Sequence, residues 1–315
     1  MSTHSSFRAS FGAEAALYTA FAGLGAFAAW GPYVAQGAHA HAFADQRTLW
    51  GVPYAMDVLT NLPFALFGAA GLWALCRWLR RCRAGRRGRP SVAGTAPATT
   101  VTAAMGATFF LGLLLTAAGS ALYHWQPHEI TLLADRAGML VAFAGVLGLA
   151  VATRIGTRPA WLTAAVVLVG GGLALREWGV AGQLLPWAVV QGGGMCLVAG
   201  LALRPVLWGR LPVSLLALVG WYGLAKLLEA GDHAVWQASG GIVAGHSLKH
   251  LAAAWAAWPV LSAFLHKPTA CGGPGEDPHG PGCRSPARAV LPEPGRGTIA
   301  ADQPPPSLSQ TGAKA

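Results

Sequence analysis

Charge is what this chain has little of. Only 11% of its 315 residues are Asp, Glu, Lys or Arg, against roughly 25% in soluble domains. That excludes an ordinary soluble globular fold. Acids are the scarcer sign, 12 against 22 basic residues. The basic residues cluster in connecting segments and in the tail, and no aromatics interleave with the arginine clusters. This excludes a single-strand nucleic-acid surface, so no nucleic-acid partner is expected and the charge reads as membrane topology. Cysteine is sparse too. Cys76, Cys82, Cys196, Cys271 and Cys283 form no close CxxC pair, which leaves a disulfide framework or a cysteine-based zinc site without support. Cys196 reads as a small core residue in mid-helix.

What the chain has is hydrophobic sequence, 54% of its residues, arranged in long runs. Eight runs are long enough, or nearly so, to cross a bilayer at about 20 residues each. They fall at 14–36, 53–76, 101–124, 132–153, 160–177, 184–203, 212–230 and 243–265, the fifth being short. The expected fold is an all-α, polytopic membrane bundle, with seven core helices and one extra helix before them. Residues 1–42 would be an N-terminal cytoplasmic stub and the extra helix, 43–266 the membrane domain, and 267–315 a disordered cytoplasmic tail rich in Pro, Gly, Ser and Ala. The first run also resembles a signal peptide, since Ala35-Gln-Gly-Ala-His-Ala40 has the small residues of a cleavage region. Its only early positive charge is Arg8, which favours an uncleaved helix.

Arginines set the orientation. Arg77, Arg80, Arg81, Arg83, Arg86, Arg87 and Arg89 follow the second run, and Arg154, Arg158, Arg204 and Arg210 fall on the same side when helices are counted onward. The positive-inside rule makes that side cytoplasmic.

A few polar residues are stranded in this apolar sequence. Ser120 and His124 close the third run, Asp135 follows eleven residues after His124, and His246 and His250 open the eighth. Ionisable groups in membrane segments are candidates for function. Helix direction places all five at similar depth near the outer face, and Pro127 discourages continuation of the third helix. Residues four apart share a helix face, so His246 and His250 can grip one ion and Ser120 and His124 can face one cavity. Three histidines match the ligand count of a catalytic zinc site. Asp135 could then deprotonate water, and Ser120 could hydrogen-bond a carbonyl oxygen as charge develops on it.

Structural readings compete. An HxxxH pair alone is a weak signal. Ser in a membrane helix commonly bonds a backbone carbonyl. Asp135 beside Arg136 could be an interfacial ion pair. Haem between facing histidines would leave one histidine and Asp135 without a role. Among the other polar residues, Asp57 and Asn61 could orient a ligand histidine. Lys226 and Glu229 can pair as structural support or cavity lining, with Asp232 near them. Lys249 could snorkel outward or meet a headgroup. His39, His41, His128 and His233 fall in outer loops.

Ser120-x3-His124, Asp135 and His246-x3-His250 resemble the pattern of the alkaline ceramidase family and its wider membrane-hydrolase superfamily, which includes the adiponectin and progestin receptors. The eleven-residue step from His124 to Asp135 is shared. Segments 43–53, 57–64 and 119–124, and Lys226-Leu-Leu-Glu229, resemble bacterial ceramidase-like membrane proteins, so that the likeness covers about residues 43–265. The resemblance implies zinc on His124, His246 and His250, Asp135 as base, Ser120 on the oxyanion side and a ceramide-like or other N-acyl lipid from the membrane as substrate. It also implies a bacterial inner-membrane protein with its site toward the periplasm. The eukaryotic family's calcium-binding acidic segment is not reproduced: residues 37–52 hold one acid, Asp45, and Tyr54 stands where a carboxylate aligns. Calcium is therefore in doubt, although Asp57 and Asn61 remain.

Overall fold

The computed structural model describes residues 2–37, 41–86 and 95–266, with side chains described at 11–37, 41–85 and 97–266. The tail at 267–315 and residues His39, Arg87 and Arg89 lie outside the described residues.

The chain folds as an all-α bundle with no strands among the described residues. Among the described residues seven helices are long and apolar enough to cross a membrane, which makes this an integral membrane protein. They are α1 (Ser2–Trp30), α3 (Leu62–Arg86) preceded by the short α2 (Ala55–Leu59), α4 (Thr95–Trp125), α5 (Glu129–Arg154), α6 (Thr157–Ala181), the run formed by α7 (Leu185–Ala188) and α8 (Gly194–Ala202), and the pair α11 (Gly245–Trp255) and α12 (Trp258–Leu265). The expected seventh crossing at 212–230 is α9 (Leu215–Ala230), a helix of 16 residues. The fifth run, expected to be short, is the 25-residue α6. Cys196, expected in the core, is exposed on α8 instead, and the buried cysteine is Cys82 on α3.

Breaks in the helices have local causes. Pro63 has no N–H to offer the carbonyl of Leu59, and Thr60 and Asn61 turn their side chains back onto the carbonyls of Met56 and Asp57 at 2.7 Å each. The second run is therefore split into α2 and α3. Between α7 and α8 the backbone makes one π-turn at Val189–Gly193, the usual form of a π-bulge.

Helices α3, α4, α5, α8, α9 and α11–α12 contact one another in sequence around a closed ring. α6 packs outside α5, and α1 packs on the 185–193 stretch. The tightest seam joins antiparallel α4 and α5 through glycines seven residues apart on each helix. A Cβ at Gly112 would lie 2.2 Å from the Ala142 nitrogen, and one at Gly145 would lie 2.2 Å from the Phe109 nitrogen. Gly119 and Gly138 approach the partner backbone nearer the end of the seam, 2.6 Å from the Ala134 oxygen and 2.5 Å from the Thr116 nitrogen for an added Cβ. In lipid, where apolar side chains gain little by leaving one solvent for another, such small-residue contacts are what hold helices together. At one end of the bundle the seam meets an arginine-rich face, where Arg154 donates to the Val213 carbonyl and Arg81 to that of Leu265, both at 3.0 Å. The stranded polar residues gather at the opposite end.

Candidate metal centre

His124 leaves the last turn of α4, and His246 and His250 leave the first two turns of α11. All three are buried. Their ring centroids form a near-equilateral triangle with sides of 4.9, 4.9 and 5.0 Å. One ligand nitrogen from each ring lies within 4.8 Å of the others. A tetrahedral ion with bonds of about 2.0–2.1 Å holds its nitrogens roughly 3.3 Å apart, so small ring rotations close the set.

Two observations show that the site fits a metal ion. His124 Nδ1 and His246 Nε2 are buried with no hydrogen-bond partner, which costs about 1–3 kcal/mol for an ordinary polar atom. His250 is already oriented for ligation: its Nδ1 lies 3.0 Å from Thr60 Oγ1. The single Thr60 proton is committed to the Met56 carbonyl at 2.7 Å, so Thr60 accepts from His250 Nδ1–H. That fixes the tautomer and leaves the Nε2 lone pair for an ion. Imidazole suits zinc, copper, iron and nickel alike, so the donor set indicates a metal without choosing one. A haem iron between two of these rings is excluded sterically, because the third ring lies within 5.0 Å of both, in the plane that the macrocycle needs.

The supporting shell comes from three directions. Phe43 sets its ring edgewise against His124 and His246, 4.7 Å from each, and covers that side of the triangle. Asp232 is a buried carboxylate that accepts from the His246 backbone N–H at 2.8 Å and from Ala44 N–H at 3.0 Å. It therefore caps α11 from a neighbouring helix and pins the segment bearing Phe43. Asp57 Oδ1 accepts from Ser247 Oγ at 2.6 Å, and Asn61 donates to the Asp57 carbonyl. Asp57 and Asn61 thus brace the start of α11 one residue from His246. Thr60, between them in sequence, makes the direct contact with a ring.

Ser120 and Asp135 meet across the α4–α5 seam. The Ser120 hydroxyl faces the Asp135 carboxylate, and both line the same cavity. Gly119 makes this possible: a Cβ there would fall 2.6 Å from the Ala134 oxygen and 3.1 Å from the Asp135 Cα. Asp135 forms no ion pair with Arg136 among the described residues; the Arg136 guanidinium carbon sits over the Trp178 ring, 3.8 Å from its centroid. Lys226 and Lys249 both bind Glu229, each at 2.7 Å. His128 caps the start of α5 by a reciprocal bond with Thr131, and His41 bridges Tyr123 and Glu129 at 2.9 and 3.0 Å. Neither joins the triangle.

Beside the histidines a cavity of about 320 Å³ runs into the ring of helices. Ser120, Asp135, His246 and His250 line one part, while Leu113, Phe143, Val146 and Leu218 line another. The loop above is latched by Arg47, which grips both Asp45 oxygens at 2.8 and 2.6 Å, donates to the Ile242 carbonyl and stacks on Trp236. Burial alone would push the Asp45 carboxyl up; the hydrogen bonds and charge of Arg47 outweigh that and hold it below its ordinary value.

Comparison of the chain with family models, curated proteins and solved structures finds no match in any of the three.

Proposed function

We propose that this protein is a zinc-dependent intramembrane hydrolase that cleaves the amide bond of a ceramide-like or other N-acyl lipid, in the manner of the alkaline ceramidases that its motifs resemble. The observation that carries the reading is that Ser120 and Asp135 line the same apolar-walled cavity as His246 and His250, two of the three convergent histidines. A purely structural metal site requires neither the hydroxyl nor the carboxylate.

Zinc, when bound, supplies a Lewis acid that polarises a carbonyl and makes water nucleophilic near neutral pH. The apolar walls take the acyl chain and exclude water from it. Asp135 removes the proton from the attacking water and delivers it to the nitrogen as the C–N bond breaks. The Ser120 hydroxyl has one proton; once Asp135 is protonated, that proton is free to turn toward the carbonyl oxygen as negative charge collects there. Glu229 with its two lysines and Asp57 with Asn61 hold the surrounding frame.

Arg77, Arg80, Arg81, Arg154 and Arg210 gather at the end of the bundle away from the histidines. The positive-inside rule would then face the site toward the periplasm of a bacterial inner membrane and leave the tail in the cytoplasm.

The direct test compares lipid extracts of the native host carrying the wild type with those carrying Asp135→Asn. An N-acyl lipid should accumulate with the variant, and its hydrolysis by the purified protein should fall by about 10²–10⁴. A variant that binds metal and leaves the lipid profile unchanged would instead support a non-enzymatic receptor or lipid-binding protein with a structural zinc.

A further inference from the structure

The cavity beside the histidines carries an imbalance of charge. Arg136, Lys226 and Lys249 line it against two carboxylates, Asp135 and Glu229. Glu229 lies between both lysines, 2.7 Å from each, so one carboxylate faces two ammonium groups. Asp135 faces the Ser120 hydroxyl across the α4–α5 seam. Arg136 is left over: it forms no ion pair among the described residues, and its Nη1 is buried without an acceptor. Its guanidinium carbon sits 3.8 Å from the Trp178 ring centroid and 5.9 Å from that of Trp187. Stacking satisfies the face of a guanidinium; it does nothing for the N–H groups on its edge, which need an acceptor when desolvated. A metal ion on the histidines would add to the positive excess.

We infer that the lipid bound here carries a negative charge on the amine side of its amide, a carboxylate or a phosphate, which Arg136 binds with help from Lys226 and Lys249. The inference rests on the hydrolase reading for the amide and on the unmatched cations for the charge. A guanidinium fork matches the paired oxygens of carboxylate and phosphate, and a neutral headgroup of hydroxyls would leave the excess charge unpaired. Shared lining sets the side of the amide. Arg136, Lys226 and Lys249 line the cavity together with Asp135, the residue that hands a proton to the leaving nitrogen, while the acyl chain occupies the apolar part of the cavity. The reaction is then hydrolysis: water adds at the carbonyl carbon, the C–N bond breaks, a fatty acid leaves, and the nitrogen departs protonated as an amine that retains the carboxylate or phosphate. Lys249 and Lys226 lie on Glu229 in the free protein, and the charge they share is what a second anion completes.

The test measures binding of three lipids with one acyl chain to the metal-loaded protein in non-ionic detergent, read by tryptophan fluorescence: N-palmitoylglycine, N-palmitoyl-phosphoethanolamine and the neutral N-palmitoylethanolamine. At least one anionic lipid should bind about tenfold or more tighter than the neutral one, and whichever of the two leads identifies the carboxylate or the phosphate. Arg136→Gln should remove most of that preference by weakening the anionic lipid far more than the neutral one. Should Arg136→Gln fail to fold, Lys226→Gln, at a half-exposed side chain, should still narrow the preference severalfold. Equal binding of all three lipids, no binding of any, or a preference untouched by these substitutions would overturn the inference. Hydrolysis, followed in the same samples, separates the two claims. Cleavage of all three lipids at equal affinity keeps the hydrolase and removes the anion site, whereas an anion preference without cleavage keeps the anion site and removes the hydrolase.

Discussion

α1 and α5 look alike as sequence and differ as structure. Both are apolar enough to cross a membrane, yet 78% of the most apolar window of α5 is buried in the protein and only 11% of that of α1. Hydropathy does not account for the difference: the α11–α12 window is no more apolar than that of α1 and is half buried, because lipid is as apolar as the side chains of a protein core. Glycine placement does. α5 sets Gly138 and Gly145 against the backbone of α4, which answers with Gly112 and Gly119. α1 buries Ala13 and Leu17 and touches Gly193 through Leu24, while Leu185 covers Gly31 just past its end. The metal centre is built from the tightly packed half.

The contrast can be broken from either side. The largest effect should come from Gly145→Leu, whose side chain has to enter the Phe109 backbone; the seam would open and the protein should lose its cooperative thermal transition, a loss beyond about 4 kcal/mol. Gly119→Ala is the sharper cut. Its methyl group would push Ala134 and Asp135 away from Ser120 without touching a histidine, so metal content should stay unchanged while hydrolysis falls by about 10². Equal loss of metal and activity would mean that the seam positions the histidines as well. Thr60→Val removes the acceptor that orients His250, and zinc affinity measured by competition with a chelator should weaken by about 10-fold to 100-fold. At the small end, Phe11→Ala on the exposed face of α1 should shift stability by no more than about 0.5 kcal/mol. A large shift there would show that α1 is more than a peripheral helix.

Most of the bundle could be read from the sequence, because a membrane helix announces itself through length and composition alone. The clustering of Ser120, His124, Asp135, His246 and His250 followed from counting helices, since direction of travel fixes which end each residue occupies. The exceptions are instructive. The second run breaks at Pro63, and that break turns Thr60 toward His250; a lone threonine in an apolar run gives no signal of its own. Asp232 caps a helix it does not belong to, and Phe43 covers rings more than eighty residues away along the chain, so neither contact has a local pattern. Cys196 read as core because hydropathy cannot tell a lipid-facing position from a protein-facing one. The α4–α5 glycines could have been found by their seven-residue spacing on both helices, which is the small-residue signature of a close helix pair. An ion pair of Asp135 with Arg136 stood as the competing reading because they are neighbours in sequence. Consecutive residues on a helix point about 100° apart, which is why one reaches Ser120 and the other Trp178.

The central claim is that His124, His246 and His250 hold one metal ion, and metal content per chain tests it most directly. Purified wild-type protein should carry about one zinc per chain by elemental analysis, and His246→Ala/His250→Ala, prepared in the same way and still folded by circular dichroism, should carry none. Zinc retained after both histidines are removed, or a wild type that binds no transition metal when zinc is supplied, would contradict the account.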